Sequence, residues 1–419
     1  YALPAVREAV RNYAHTEALK HCTIGLQALP KIIKPEPEIK NLQLLLLINR
    51  GWTEGFIGDL QQALETYSQA NTLARELKDN FRLFFILNRM GFVWRNLENY
   101  DQARSCYEEA ASLAIQMDDK NKLRMAYHHL ADSYWKQRKD QQALEWGQKT
   151  MAIAEETGNK HALARSYHLM GHICQIQKNY DQALEWFYRS MAINKELENK
   201  VSVAWNFINI ASIYQDQGNF EQSISIDQQA MTICRETGDR RGEAIIARGL
   251  GRSYLKLNDS DQAMMWYRNA LDFWEKVGSK TEIMLAHQGI GHAYFQQGNY
   301  DQALDRYQTA LALSEEVEIR YGEAWVYYNI GLIHKDREEF SRALEWLEAA
   351  LHIWHKLDNK PDEAKAAQNI GNIHETQGNY TEALDYYQKV LTIQEKLGSQ
   401  KDIAEINKNI VAVETNLAE

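Results

Sequence analysis

The chain has 419 residues, 45% of them hydrophobic and 25% charged, the balance of a folded soluble protein. Its net charge of −10 argues against general nucleic-acid binding, which needs a basic surface to displace counterions, though not against a local basic patch. The longest purely aliphatic run, Leu44 to Ile48, is far too short to span a bilayer, so no membrane insertion is expected.

Four widely separated cysteines, Cys22, Cys106, Cys174 and Cys234, form no CxxC; reduced thiols and a cytoplasmic setting fit that usage. In chain order, residues 1–39 stand apart. The stretch Tyr13 to Lys20 reads as a degenerate second helix, and Pro30 to Pro37 as a stiff linker. Ala18 lies 45 residues before Ala63, out of phase with the 40-residue step that follows. This segment is expected to be an N-terminal cap or a junction to an upstream domain. The chain opens with Tyr1 rather than Met, as a fragment of a longer protein would.

From residue 40 to 399 the sequence repeats. One small residue recurs every 40 positions: Ala63, Ala103, Ala143, Ala183, Ser223, Ala263, Ala303, Ala343 and Ala383. Twelve residues ahead of it runs a second series: Gly51, Gly91, Ala131, Gly171, Ala211, Gly251, Gly291, Gly331 and Gly371. Two ladders in phase imply nine repeats, and each period reads as two helices. Ala244, Ala247, Leu250, Gly251 and Tyr254 share one helical face; Ala263, Tyr267, Ala270, Leu271 and Trp274 share another. Asn258-Asp259-Ser260 makes the turn between them, and Gly278 stands where a helix C-terminus favours a left-handed residue. No proline falls between Pro37 and Pro361, and Pro361 follows its turn at the start of a helix, where its missing donor costs nothing. Residues 400–419, with Ile403, Ile406, Ile410 and Val413, read as a capping helix.

Gly291, Tyr294, Ala303, Tyr307 and Ala310, and again Gly91, Trp94, Ala103, Tyr107 and Ala110, resemble the tetratricopeptide repeat pattern. The resemblance covers residues 40–399 and is similar to the long-repeat subclass found in kinesin light chains, spindle-orientation adaptors and the sensor arms of bacterial signal-transduction ATPases. It implies an all-α fold, a right-handed α-solenoid of stacked antiparallel helix pairs. Some repeats depart from the pattern. Ser223 replaces the key Ala, Gly147 and Asp227 stand where an aromatic is expected, and His334 and His374 replace Tyr. Asp227 is either a tolerated local defect or a buried carboxyl with a partner.

The resemblance further implies that first helices line a concave groove used to bind a protein or peptide. The groove residues it selects are Phe85, Arg89, Phe92, Arg165, His168, His172, Trp205, Asn209, Arg248, Arg252, Trp325, Tyr328, Asn329, Lys365 and Asn369. Groove-facing aromatics are typical anchors. The asparagines are implied to hold an extended peptide backbone. Arg89, Arg95, Arg165, Arg248, Arg252, Lys256 and Lys365 are expected to face inward, against the four acids Asp132, Asp216, Asp336 and Glu375, so the groove is more basic than the acidic whole, which suits an acidic, carboxylate-bearing segment.

No catalytic constellation is assembled. His128, His129, His168, His172 and Cys174 cluster on two neighbouring first helices, but no HExxH accompanies them, and neither a metal nor a cofactor is expected. Gly249-Leu250-Gly251 and Gly289-Ile290-Gly291 lie within helices without a preceding strand or Walker lysine, and no GxSxG elbow is present. The expected function is therefore a non-enzymatic scaffold, the sensor or recruitment arm of a larger signalling protein. The alternative is a stand-alone receptor for a small signalling peptide.

Overall fold

From Leu60 to Leu397 each half-period becomes a helix of 17 or 18 residues closed by a short link. The computed structural model describes residues 2–11, 15–32, 35–57, 59–137 and 139–418. Among them all extended secondary structure is helical. The helices are α1 (Ala2–Arg11), α2 (His15–Ala28), α3 (Glu36–Ile57), α4 (Leu60–Glu76), α5 (Asn80–Asn96), α6 (Tyr100–Gln116), α7 (Lys120–Lys136), α8 (Asp140–Glu156), α9 (Lys160–Ile176), α10 (Tyr180–Glu196), α11 (Lys200–Asp216), α12 (Phe220–Thr237), α13 (Arg240–Lys256), α14 (Ser260–Val277), α15 (Lys280–Gln296), α16 (Tyr300–Glu316), α17 (Arg320–Asp336), α18 (Phe340–Lys356), α19 (Lys360–Thr376), α20 (Tyr380–Leu397) and α21 (Gln400–Ala418). The fold is an all-α solenoid. It divides into two compact units, Tyr1–Asn206 and Phe207–Glu419, with the division inside α11.

The links explain the helix ends. Each described link from α4 onward, that after α8 included, places one residue in the left-handed region or next to it. Glycine fills that place at Gly158 (φ 59), Gly238 (φ 71) and Gly278 (φ 76), while Lys78, Glu98, Asn258 and Glu338 adopt it at φ 53, 57, 59 and 60. Several of the following helices start on a side-chain cap. Asp239 accepts a hydrogen bond from Gly242 N at 2.9 Å, and Asp259 accepts one from Gln262 N at 3.1 Å.

Packing explains the two ladders. A Cβ on Gly251 would stand 2.8 Å from the Tyr267 ring, and one on Gly289 only 2.3 Å from it. The ring is thus clamped between the first helices of two successive repeats. Tyr107, Phe187, Tyr307 and Tyr387 occupy the same register and are fully buried. Leu347 takes the place of the ring opposite Gly331, and where no bulky apolar side chain stands, at Gly147 and Asp227, the facing ladder position carries Ala131 or Ala211 instead of glycine. The lost volume is thus shared between two helices, as interior packing requires.

Asp227 is 2% exposed. Burial pushes its carboxyl well above the usual range, and a hydrogen bond with Ser223 only partly opposes this. Its Oδ2 has no hydrogen-bond partner among the described residues. Beside it, Gln215 Nε2 donates to Gly249 O at 3.0 Å and to Ser253 Oγ at 3.1 Å. A small polar core has replaced the aromatic.

At the N-terminus α1 and α2 pack together and bury Val6, Ala18 and Cys22. Tyr13 and Ala14 of the expected degenerate helix, and Ile33 and Lys34 of the expected linker, lie outside the described residues. Pro30 falls in a 3-10 turn, Leu29–Lys31, and Pro37 in the first turn of α3, where no helical donor is needed. At the other end Ile406 and Val413 of α21 cover Tyr387, Val390 and Ile393 of α20. The four cysteines are buried and unpaired. No helix among the described residues is long and apolar enough to cross a membrane.

Candidate functional site: the wall of first helices

Successive first helices touch one another, α3 with α5, α5 with α7 and α7 with α9 in the first unit, α13 with α15 and α15 with α17 in the second. Among the described residues no two successive second helices come as close. First helices therefore form the inner wall of each unit.

In the first unit that wall is basic. Helices α5, α7 and α9 carry nine lysines and arginines and a single carboxylate, Asp132, in a chain whose net charge is −10. Arg82, Lys120, Lys122 and Lys160 pair with Asp79, Glu156, Asp119 and Glu196 of the links and second helices, which leaves Arg89, Arg124, Lys136 and Arg165 without a carboxylate in ion-pair distance among the described residues. Asp132 is already paired with Arg95, which also lies over the Phe92 ring at 4.9 Å. Phe81, Phe85 and Phe92 lie on one face of α5 and are 55%, 37% and 39% exposed. Phe81 and Phe85 meet edge to face at 5.1 Å. Arg89 and Arg165 are exposed, and neither is within ion-pair distance of a carboxylate among the described residues.

The four histidines form two pairs, one on α9 and one on α7. His168 and His172 are perpendicular at 4.7 Å, and both lie against Phe187 at 5.4 and 5.2 Å. His129 stacks on Tyr107 at 5.1 Å and meets His128 at 5.7 Å. Burial, aided by neighbouring positive charges, pulls His129 and His172 down to about 3 and His168 to about 4. His128 is also lowered well below its usual value. All four are neutral rings at pH 7. Among the described residues no three His, Cys, Asp or Glu side chains converge as metal ligands.

In the second unit the polar wall is largely satisfied by links between repeats. Arg248 lies 3.0 Å from Glu282, and Arg252 reaches to 4.0 Å of Asp216. Lys335 donates to Asn369 Oδ1 at 2.7 Å, and Asn369 Nδ2 donates to Tyr328 OH at 3.2 Å. Lys365 pairs with Asp362 at 2.9 Å. Asn329 is buried and donates to Trp325 O at 2.7 Å, one turn back on its own helix. Trp325 is half-buried against Tyr307 at 5.8 Å. Trp205 and Asn209, on α11, are half-buried. Away from this wall, a hollow of about 570 Å3 lies between α12, α13 and α14, lined by Met231, Trp266 and Phe273. Its charges are paired among themselves, Arg240 with Glu243 and Lys276 with Asp272.

One residue escaped the groove rows read from sequence. Arg124 is 7% exposed and stands in a row that otherwise reads Phe84, Ala164, Ala204, Ala244, Met284, Ala324 and Ala364, all buried. The signal was a single charge in an apolar column, visible only once buried rows are compared as closely as groove rows.

Stacked helical hairpins with a forty-residue period, clamped on buried rings, define a helical-repeat solenoid. A tetratricopeptide repeat family model matches residues 82–156, 122–196, 200–276, 281–354 and 322–396, and the chain belongs to the tetratricopeptide repeat family. A model for anaphase-promoting complex subunit 5 matches residues 34–93. Among solved structures, the chain is similar to the apo quorum sensor NprR from B. thuringiensis. The TM-score is 0.60 at 16% identity, over 81% of this chain and 98% of that one. It is also similar to a signal-transduction ATPase with a tetratricopeptide repeat sensor from Pyrococcus horikoshii, with a TM-score of 0.58 at 14% identity, over 87% of this chain and 54% of that one. A third similarity is to apo RapI, with a TM-score of 0.56 at 15% identity, over 66% of this chain and 98% of that one. At these identities the likeness concerns the fold. No curated protein matches.

Proposed function

We propose that the chain is a non-catalytic scaffold that binds a protein or peptide segment along its first-helix wall, and that the segment is acidic. The observation that carries this reading is the wall of α5, α7 and α9, where Arg89, Arg124 and Arg165 have no carboxylate within ion-pair distance among the described residues, beside three exposed phenylalanines on one helix face. Exposed rings flanked by cations are the composition of an interface whose partner supplies apolar anchors and negative charge. The same reading places the chain as the sensor or recruitment arm of a larger signalling protein. The signal-transduction ATPase that it resembles carries a tetratricopeptide repeat sensor.

Selection of peptides on the purified chain from a random displayed library tests the reading. The expected peptides are rich in Asp and Glu, and the double variant Phe85→Ala/Phe92→Ala binds them at least about tenfold more weakly, as loss of anchor residues does. Ile115→Ala, an exposed residue on second helix α6, leaves binding unchanged. Equal binding by wild type and the double variant removes this wall as the working surface.

A further inference from the structure

Among the described residues Arg124 has no counter-ion. Its Nε lacks a hydrogen-bond partner, and no carboxylate lies within ion-pair distance among the described residues. Helix α9 contributes no acidic residue at all, and the one on α7, Asp132, is held by Arg95. Burial, and after it the positive charge of Arg165, 41 residues on, lower the pKa of the Arg124 guanidinium. At the same 41-residue offset elsewhere the structure sets complementary groups together: Arg82 with Asn41 at 2.9 Å, Tyr321 with Asp362 at 3.1 Å. His128, one turn after Arg124 on α7, is close enough to feel both arginines, and its Nδ1 is buried without a partner. A buried cation that feels a second cation, with an unsatisfied imidazole one turn away, is costly in an isolated protein and ceases to be so when an anion joins them.

We propose that Arg124, Arg165 and His128 form a subsite for an oxyanion carried by the bound peptide. Arg165 captures the group at the mouth, and Arg124 receives it below. The neutral His128 ring adds a hydrogen bond without adding a third positive charge. The shared chemistry is that of a carboxylate or phosphate group, from an acidic or a phosphorylated side chain. This subsite rests on the groove reading above. It assigns the place where the partner's negative charge seats, whereas the α5 phenylalanines take its apolar part.

Small anions test it without any peptide, so a failed peptide selection leaves the result readable. Glutarate and inorganic phosphate are each titrated into the full chain against sodium chloride at equal ionic strength, and the unfolding temperature is followed. A ligand of the folded state raises that temperature, and a rise of roughly 2–4 °C is expected for at least one anion. A response to glutarate identifies a carboxylate source, and a response to phosphate a phosphorylated one. Arg124→Met places in the row the residue that Met284 already supplies there. It should lose the response and, without anion, unfold no lower than wild type. Arg165→Gln, at an exposed position, should weaken the response. No anion-specific rise in wild type, or an undiminished rise in Arg124→Met, overturns the subsite. Selected peptides that bind Arg124→Met as tightly as wild type overturn its use by the peptide. Tight binding of a thymidine decanucleotide that Arg124→Met abolishes would assign the site to nucleic acid instead.

Discussion

A single ring sets much of the local geometry of this chain. Tyr267 lies between Gly251 and Gly289, with no room for a Cβ on either, and the same clamp recurs around Tyr107, Tyr307 and Tyr387 with the glycine before each. Asp227 fills that position in one repeat with a group that prefers water. Its carboxyl holds its proton well above the ordinary value of 3.8, because burial disfavours the charge. The sign follows directly. The folded chain keeps a proton that the unfolded chain releases, so this carboxyl costs stability as pH rises above 3.8. Asp227→Asn removes the ionisation while retaining polarity. It should be more stable than wild type at pH 7 by on the order of 1–3 kcal/mol, the scale of an unsatisfied buried polar group, with the difference closing toward pH 4. Urea denaturation of both proteins at the two pH values measures this, and a destabilised variant at pH 7 would mean that the carboxylate is paired and needed.

At the scale of elements, α7 and α9 form a pair with opposite demands. They bring four neutral imidazoles and two arginines, Arg124 and Arg165, into one wall. His129, His168 and His172 hold folded values of about 3, 4 and 3 against an ordinary 6.5. Between pH 6.5 and 4 the unfolded chain binds protons that the folded chain refuses. Stability is full above 6.5 and falls as pH drops, by up to about 1.4 kcal/mol per pH unit for each ring. The urea midpoint should therefore decrease from pH 7.5 to 5.0, and His168→Phe, which keeps a ring against Phe187, should show a smaller decrease. A midpoint indifferent to pH over this range would mean that the rings remain hydrated. The paired residues of the second unit were less legible in sequence than these. Arg248 and Arg252 read as free grips on one helix, yet their carboxylates, Glu282 and Asp216, come from neighbouring first helices 34 and 36 residues away. Asn329 likewise spends its amide on a carbonyl of its own helix. Such links follow from stacking, which a helix-by-helix reading does not connect.

At the scale of the molecule, the helical hairpins and their period were legible because two unbroken ladders of small residues fixed them before any side-chain contact was known. The basic first wall was only partly legible, since its density appears when whole helices α5, α7 and α9 are counted, and Arg124 lay in a row reserved for apolar residues. Repeat solenoids are stabilised by nearest neighbours, so each end needs a cover. Deleting Gln400–Ala418 would uncover Tyr387, Val390 and Ile393. Burial of Ile406 and Val413 alone corresponds to about 3–6 kcal/mol, so the shortened chain should unfold at lower urea and scatter light as it self-associates. A truncated chain with an unchanged midpoint would show that α21 covers nothing essential.

The uniformity of the links has a consequence for how such a gene can change. Among the described residues each link from Lys78 to Gly398 for which the place is described closes on one left-handed residue, and that place tolerates Gly, Lys, Glu, Asp or Asn alike. A cut there and a cut forty residues later expose the same kind of end, and the two ends can be rejoined without turning the helices that follow. Unequal recombination that removes or duplicates one whole period would preserve the reading frame and the packing together, whereas loss of a single codon inside a helix would rotate its buried face by about 100°. The inner wall can thus lengthen or shorten by whole hairpins, while the side chains that select a partner change independently.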